Sequence, residues 1–375
     1  MKFVRIKARK YQPDITLLLL SAALAAIGLF AIYSATVDAG KRKFVVQLIA
    51  AGLGIVLAFF LSLVDFRAVK RYQNHIYILS VLALLFVLFF GSGKEETGAN
   101  SWIRFFGIGV QPAELVKLSF AMVFSEKLAA AKEKAVLNKP KMVLRLILWF
   151  LGIFGLVVLQ NDTGTALVFA FMFCVMLFLA GISLKYVFGA IGLAAVALPA
   201  VWFFLAPYQK SRIYVFFHPE ADPMGAGYQV MISKLAIASG GAFGRGYLRG
   251  PQNRLSLLPQ KETDIIFGVI GEEFGFFGCL IVVALLFCLV VRCFQIAKNA
   301  KDDALRLLCA GLGTMFLFHV LENVCMCLGL LPVTGIPLPF LSYGGSSMVT
   351  SFAAVGILDS VHMTSKKLSF YQNDG

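Results

Sequence analysis

Apolar runs of about 20 residues recur along the chain, separated by short polar, basic or glycine-rich stretches. A run of that length, wound as a helix, crosses the hydrocarbon core of a bilayer. The pattern predicts an all-α polytopic membrane protein of about ten transmembrane helices. Their edges fall near 15–35, 44–64, 74–91, 112–130, 144–160, 164–182, 186–206, 265–291, 303–331 and 341–362. The first run is long enough to be a retained span rather than a cleaved signal. One stretch interrupts the rhythm. Residues 207–263 are polar, basic and glycine-rich, which predicts a long extracellular loop between helices 7 and 8 within a single transmembrane domain, 1–375.

Composition agrees, with 59% hydrophobic and 14% charged residues, far from a soluble average. In a soluble protein the net charge of +14 would suggest nucleic acid. Here the positive-inside bias and contact with anionic membrane lipids explain it, and no nucleic-acid partner is expected. Lys and Arg crowd the side that carries both termini. This places the termini in the cytoplasm and 207–263 outside the cell. Cys174, Cys279, Cys288, Cys293, Cys309, Cys325 and Cys327 all fall in or beside apolar runs and read as small buried hydrophobes. His75, His218, His319 and His362 are scattered, and no metal cluster follows from them.

The candidate chemistry sits where polar residues interrupt the spans. In SWIRFFGIGVQPAELVK, Gln111-Pro112 marks a helix start. Glu114 and Lys117 share a face there, as a structural ion pair or as the lining of a polar path. In QNDTGTALV, Asp162 caps a helix, contributes to a site, or does both. Within 207–263, Tyr208, Tyr214, Phe216 and Phe217 mix with Lys210 and Arg212 as an interfacial belt, and 228–239 predicts a short surface helix. SGGAFGRG has the glycine density of a phosphate loop but neither established nucleotide-loop spacing, so sharp turns are expected. Arg245, Arg249, Arg254 and Lys261 are candidate anion holders. Asp264 falls in the first turn of the eighth span. Glu272 and Glu273 follow inside it, where they call for basic partners. Span nine carries Glu322 and Asn323, then breaks into LLPVTGIPLPFLSYGGSS, which contains Ser342 and Tyr343. Such a broken backbone survives at membrane depth only inside protein or along a cavity, so it is expected to form the second wall of an outward pocket.

Four blocks, WIRFFGIGVQPAELVK, QNDTGTALV, GAGYQVMISKLAIASGGAFGRGYLRGPQ…LLPQKETDIIFGVIGEE and GLLPVTGIPLPFLSYGGSS, occur in an order that resembles the SEDS family of shape, elongation, division and sporulation proteins. GYLRGPQNRLSLLPQ is nearer the RodA wording than that of FtsW. The resemblance implies ten transmembrane helices and a peptidoglycan glycosyltransferase that polymerises lipid II at the outer face of the cytoplasmic membrane of a bacterium, serving cell elongation and shape. It also implies a class B penicillin-binding protein as transpeptidase partner. The family's essential aspartate falls on Asp264, its charged pair on Glu114 and Lys117, and its turn aspartate on Asp162. Ala113 stands where the family usually has Ser, Asn161 where it has Pro, and Gln260-Lys261-Glu262 where it has Glu-X-His, so those two family positions carry no expectation here.

For such a transfer a sugar hydroxyl attacks an anomeric carbon and a lipid diphosphate leaves. That chemistry needs a base and nearby positive charge. Asp264 is the expected base. Arg245, Arg249 and Lys261, with or without a divalent cation such as Mg2+, are expected at the diphosphate. Glu114, Lys117, Asp162, Ser342 and Tyr343 are expected to line the substrate site. The alternative is a lipid II flippase using the charges inside the spans.

Overall fold

The computed structural model describes residues 12–37, 40–93, 99–105, 108–189, 192, 196, 203, 207–222, 225–255 and 257–373. Its helices are α1 (Ile15–Thr36), α2 (Arg42–Ser62), α3 (Val69–Phe90), α4 (Pro112–Glu133), α5 (Pro140–Leu159), α6 (Thr163–Ala180), α7 (Pro207–Phe217), α8 (Ala226–Gly240), α9 (Pro251–Arg254), α10 (Ile266–Asn299), α11 (Asp303–Cys327) and α12 (Gly345–Asn373). A small antiparallel hairpin precedes α4. It is formed by β1 (Ile103–Phe105) and β2 (Ile108–Val110), with Ile103 opposite Val110. The helix starts follow side-chain caps written in the sequence. Asp14 accepts from the Leu17 amide, Asp162 from Thr165, and Asp302 from Ala304 and Leu305.

Among the described residues, 7 helices are long and apolar enough to cross a membrane: α1, α2, α3 with its short lead-in, α5, α6, α10 and α11. The protein is a multi-pass membrane protein. Phe30, Phe60, Phe89 and Phe287 are exposed on its outer helix faces, where hydrocarbon covers them. Two expected spans, α4 and α12, are more polar for a physical reason. Almost every residue from Ser347 to Val361 of α12 is buried, and α4 buries Glu114, Lys117 and Glu126. Helices wrapped by protein rather than lipid tolerate polar groups. The expected span 186–206 falls largely outside the described residues. The stretch 207–263 is folded rather than an open loop. It holds α7, α8 and α9, and α8 buries Ser233, Ala236 and Gly240 against the bundle. All seven cysteines are free. Cys279, Cys293, Cys309 and Cys327 are buried as expected, whereas Cys174 and Cys288 are exposed on α6 and α10.

The glycine-rich stretch has a backbone role. Helix α10 is broken at Gly275, whose φ is 68°. In an unbroken helix the amides of Phe276 and Phe277 would donate to the carbonyls of Glu272 and Glu273. Instead they donate to Gly241 and Ala242 at 2.8 and 3.2 Å. The carbonyls of Glu272 and Glu273 accept from the amides of Arg245 and Gly246 at 2.9 and 3.0 Å. The loop 241–246 thus exchanges partners with the helix break and leaves no backbone group of the exchange unpaired. The close approach demands glycine. A Cβ on Gly244 (φ +83°) would lie 2.1 Å from the Glu273 carbonyl oxygen, and one on Gly275 would lie 2.3 Å from the Gly244 nitrogen.

Glu272 and Glu273 are buried beside this break, and the partners that hold them are hydrogen-bond donors rather than the expected bases. The Glu272 carboxylate accepts from the amides of Gln252 and Asn253 at 2.7 and 3.0 Å. That of Glu273 accepts from the Ser34 hydroxyl and, at 3.0 Å, from the Asn253 side chain. Charge-assisted bonds of this kind anchor α9 and α1 to α10.

Gly244→Ala is expected to lose about 2 kcal/mol or more, through both positive φ and collision with backbone. Gly155→Ala, in α5 with nothing within 4 Å of its Cβ, is the neutral control. Thermal unfolding in detergent compares the two. Equal midpoints would contradict the partner-exchange account.

Candidate functional site

A cleft of about 270 Å³ opens where the hairpin, the starts of α4 and α6, the α7–α8 region, residues 260–264 and the segment after α11 converge. Asp264, Asp162, Glu114, Arg212, His319 and Tyr343 all contribute to its wall. Two of the sequence alternatives are thereby resolved as joint roles. Asp162 caps α6 through Thr165 at 3.0 Å and also faces the cleft, where the Gln111 side chain donates to it at 2.6 Å. Glu114 and Lys117 are an ion pair of 2.7 Å, with Glu114 in the wall and Lys117 behind it.

The ion pair continues into α11. Lys117, 1% exposed, also meets Nε2 of His319 at 2.9 Å. The other ring nitrogen of His319, Nδ1, lies 2.9 Å from the Pro337 carbonyl oxygen. A carbonyl only accepts, so Nδ1 carries the hydrogen and Nε2 accepts from the ammonium. The imidazole therefore links the buried cation to the broken segment. One turn on, Glu322 accepts from the Thr334 hydroxyl, and the Asn323 amide donates to the Ile336 carbonyl at 2.8 Å and to the Asp264 carbonyl at 2.9 Å. His319, Glu322 and Asn323 are spaced i, i+3, i+4 and form a polar stripe on α11 that supports Thr334, Ile336 and Pro337.

Asp264 lies just before α10, with its carbonyl anchored and its side chain in the cleft wall. Gly335 (φ +79°) passes close by, and a Cβ there would come 3.4 Å from Asp264 Oδ2. Burial pushes the Asp264 carboxyl up to about 6. Arg212 and the Thr263 hydroxyl act against the rise, and Glu262 adds to it. Burial likewise holds the Asp162 carboxyl above its ordinary range, opposed by its bonds to Thr165. The Asp264 carboxyl is thus still largely ionised at neutral pH.

The expected basic residues are placed elsewhere. Lys261 is 8% exposed and donates to the Asn253 carbonyl at 2.6 Å, outside the cleft wall. Arg245 and Arg249 are exposed near the α10 break and do not reach the wall, because the backbone of 241–246 is tied to that break. The cation that does line the cleft is Arg212, which sequence reasoning placed only in an interfacial belt. Ser342, 3% exposed, is structural. Its hydroxyl accepts from the Leu338 amide at 2.8 Å and its carbonyl accepts from Gln47 at 3.1 Å. Tyr343 lines the cleft, and its amide donates to the Glu262 carbonyl at 2.7 Å, while the Glu262 side chain pairs with Lys43. Among the described residues, no three His, Cys, Asp or Glu side chains gather closely enough to hold a metal ion by themselves, and the chemistry below is derived from the side chains alone. The i, i+3, i+4 recurrence at His319, Glu322 and Asn323 was visible in the sequence and is the signal that finds the α11 residues.

These features have counterparts in known proteins. The chain is 36% identical over 371 residues to a protein of Trichlorobacter lovleyi named probable peptidoglycan glycosyltransferase FtsW, covering 96% of this chain and 95% of that one. It is 34% identical to peptidoglycan glycosyltransferase MrdB of Escherichia coli K12, covering 96% of each. A solved structure titled for the coordination of polymerization and crosslinking by a peptidoglycan synthase complex superposes with a TM-score of 0.79 at 31% identity, over 94% of this chain and 98% of that one. The crystal structure of the rod shape determining protein RodA of Thermus thermophilus gives 0.70 at 29% identity, over 94% and 97%. The family described as cell cycle proteins of the FtsW, RodA and SpoVE group matches residues 15–367. The chain belongs to that family.

Proposed function

We infer that this chain is a peptidoglycan glycosyltransferase and that the cleft around Asp264 is where two lipid-linked disaccharides are joined. Its relatives are named for that activity over nearly their whole length, which leaves the flippase alternative without support. The observation that carries the site assignment is that one half-buried carboxylate, Asp264, and one cation, Arg212, share a cleft with Asp162 and Glu114.

The acceptor sugar hydroxyl attacks the anomeric carbon of the donor. A new glycosidic C–O bond forms, the bond from the anomeric carbon to the diphosphate breaks, and the lipid diphosphate leaves with the electron pair. Asp264 takes the hydroxyl proton. Arg212, rather than Arg245, Arg249 or Lys261, offsets negative charge developing on the diphosphate. Asp162 and Glu114 are already held by Gln111, Thr165 and Lys117, so they shape the wall and accept sugar hydroxyl hydrogens. Lipid II is the substrate of this reading. In this reading the cleft faces the outer leaflet and both termini the cytoplasm, which the Lys and Arg distribution supports. A class B penicillin-binding protein is the transpeptidase partner, a proposal supported by the likeness to a member of a peptidoglycan synthase complex. Service in elongation and cell shape is favoured by the RodA-like wording of 246–260 and the likeness to RodA structures.

Asp264→Asn, purified and given lipid II, is expected to lower glycan formation by about 100-fold or more. Glycan chains at the wild-type rate would remove Asp264 from its role. The base works only when ionised, so the wild-type rate should fall as pH drops through about 6. An acid limb near 4 would contradict the burial argument.

Stability should move in the opposite direction. The folded state raises this carboxyl, so it binds the proton more tightly than the unfolded chain does. The stability linked to that proton is complete at low pH and is lost as pH rises through about 6. Asp264→Asn is therefore expected to melt higher than wild type at pH 7.5, by at most about 3 kcal/mol in free energy, with the gap closing toward pH 4.5. Melting curves of both proteins in one detergent at the two pH values check this.

A further inference from the structure

The side chain that holds Asp264 in place is Asn323, and neither the mechanism above nor the sequence motifs assign it a function. Asn323 is 0% exposed. Its amide has two hydrogens, and both are used. One goes to the Ile336 carbonyl at 2.8 Å and the other to the Asp264 carbonyl at 2.9 Å. Both acceptor residues line the cleft, on two different segments of the chain.

These two bonds differ in what depends on them. The broken segment around Ile336 has other anchors, since Thr334 is held by Glu322 and Pro337 by His319. Asp264 has less in reserve, since its own peptide group is otherwise held only through the Ile265 amide, which donates to the Gln260 carbonyl at 3.3 Å. In the first turn of α10 the amides of Gly268 and Val269 both go to the Ile265 carbonyl. No backbone amide among the described residues donates to the Asp264 carbonyl, and the other contact is the weak Cys327 thiol at 3.6 Å. Without Asn323 the Asp264–Ile265 peptide keeps only its Ile265 amide bond to Gln260 and the weak thiol contact, so the backbone that carries the carboxylate gains freedom. Loss of Asn323 therefore leaves the Ile336 segment standing and loosens the residue read as the base.

We propose that Asn323 is a positioning residue for the base, fixing Asp264 relative to the Ile336 wall so that the carboxylate meets the acceptor hydroxyl. This rests on the reading of Asp264 as the base. The full chain is assayed in detergent with lipid II as Asn323→Leu, which keeps the volume without donors, and as Asn323→Gln, which keeps both donors on a longer arm. Asn323→Leu is expected to lower kcat by about 100-fold, as a misplacement of about 1 Å does, with KM within about twofold. The acid limb of its kcat profile should move below about 6, because the freed carboxyl leaves its buried position. Asn323→Gln should recover at least about tenfold of that loss.

A folded Asn323→Leu protein with kcat within about threefold of wild type, or with KM raised and kcat unchanged, overturns the proposal. If Asn323→Leu does not fold, Asn323→Gln carries the test alone. A lowered limb at an unchanged melting midpoint supports it, and a reduced kcat with an unmoved limb overturns it. Asp264→Asn run alongside separates the two readings. Wild-type activity in that protein removes the base and this inference together. An inactive Asp264→Asn beside a wild-type-like Asn323→Leu removes this inference alone.

Discussion

A peptide group that leaves helical geometry inside a bilayer must find its hydrogen bond within the protein, because lipid offers none. This chain leaves helical geometry at two deep places and satisfies the requirement differently at each. At Gly275 backbone bonds to backbone, as 241–246 exchanges partners with the helix. After α11 side chains do the work, with His319, Glu322 and Asn323 reaching to Pro337, Thr334, Ile336 and Asp264. The polar groups that stabilise the irregular backbone and those that line the cleft are joined through this stripe, since His319 is in the wall and Asn323 holds Asp264. A partly buried carboxylate such as Asp264 is tolerated at the end of a span here because the scaffold around it is already polar.

The buried charges follow the same economy. Glu114 and Lys117 neutralise each other, and His319 accepts the remaining reach of the ammonium without adding charge. Removing one member of such a set strands the others in low dielectric, a cost of about 3–5 kcal/mol. The result is a wall whose side chains have little freedom to reorganise when substrate arrives, which is the condition for electrostatic preorganisation.

Much of this was legible in the residues. Long apolar runs gave the spans, Gln111-Pro112 and Asp162 gave two helix starts, and the prolines and glycines after Leu331 gave a broken segment beside a cavity. Asp264, Asp162, Glu114 and Tyr343 all reach the cleft. Arg245, Arg249 and Lys261 do not, because nearness in sequence to Asp264 is not nearness in space: the Gly275 break ties Gly241 to Gly246 to the far side of that helix turn. Arg212 was hidden because an arginine among aromatics near a span looks the same whether it meets headgroups or a pocket. Glu272 and Glu273 were misread as needing cations, since a sequence cannot announce that the backbone amides of Gln252 and Asn253 will turn toward Glu272, or Ser34 and the Asn253 side chain toward Glu273.

The splice at Gly275 also constrains how such a chain can vary. Connecting segments ordinarily gain and lose residues freely. Here Gly241 to Gly246 is in register with Glu272 to Phe277, donor matched to acceptor. Adding or removing one residue on either side shifts every pairing at once, so the two stretches are bound to keep their lengths together, like the two halves of a zip.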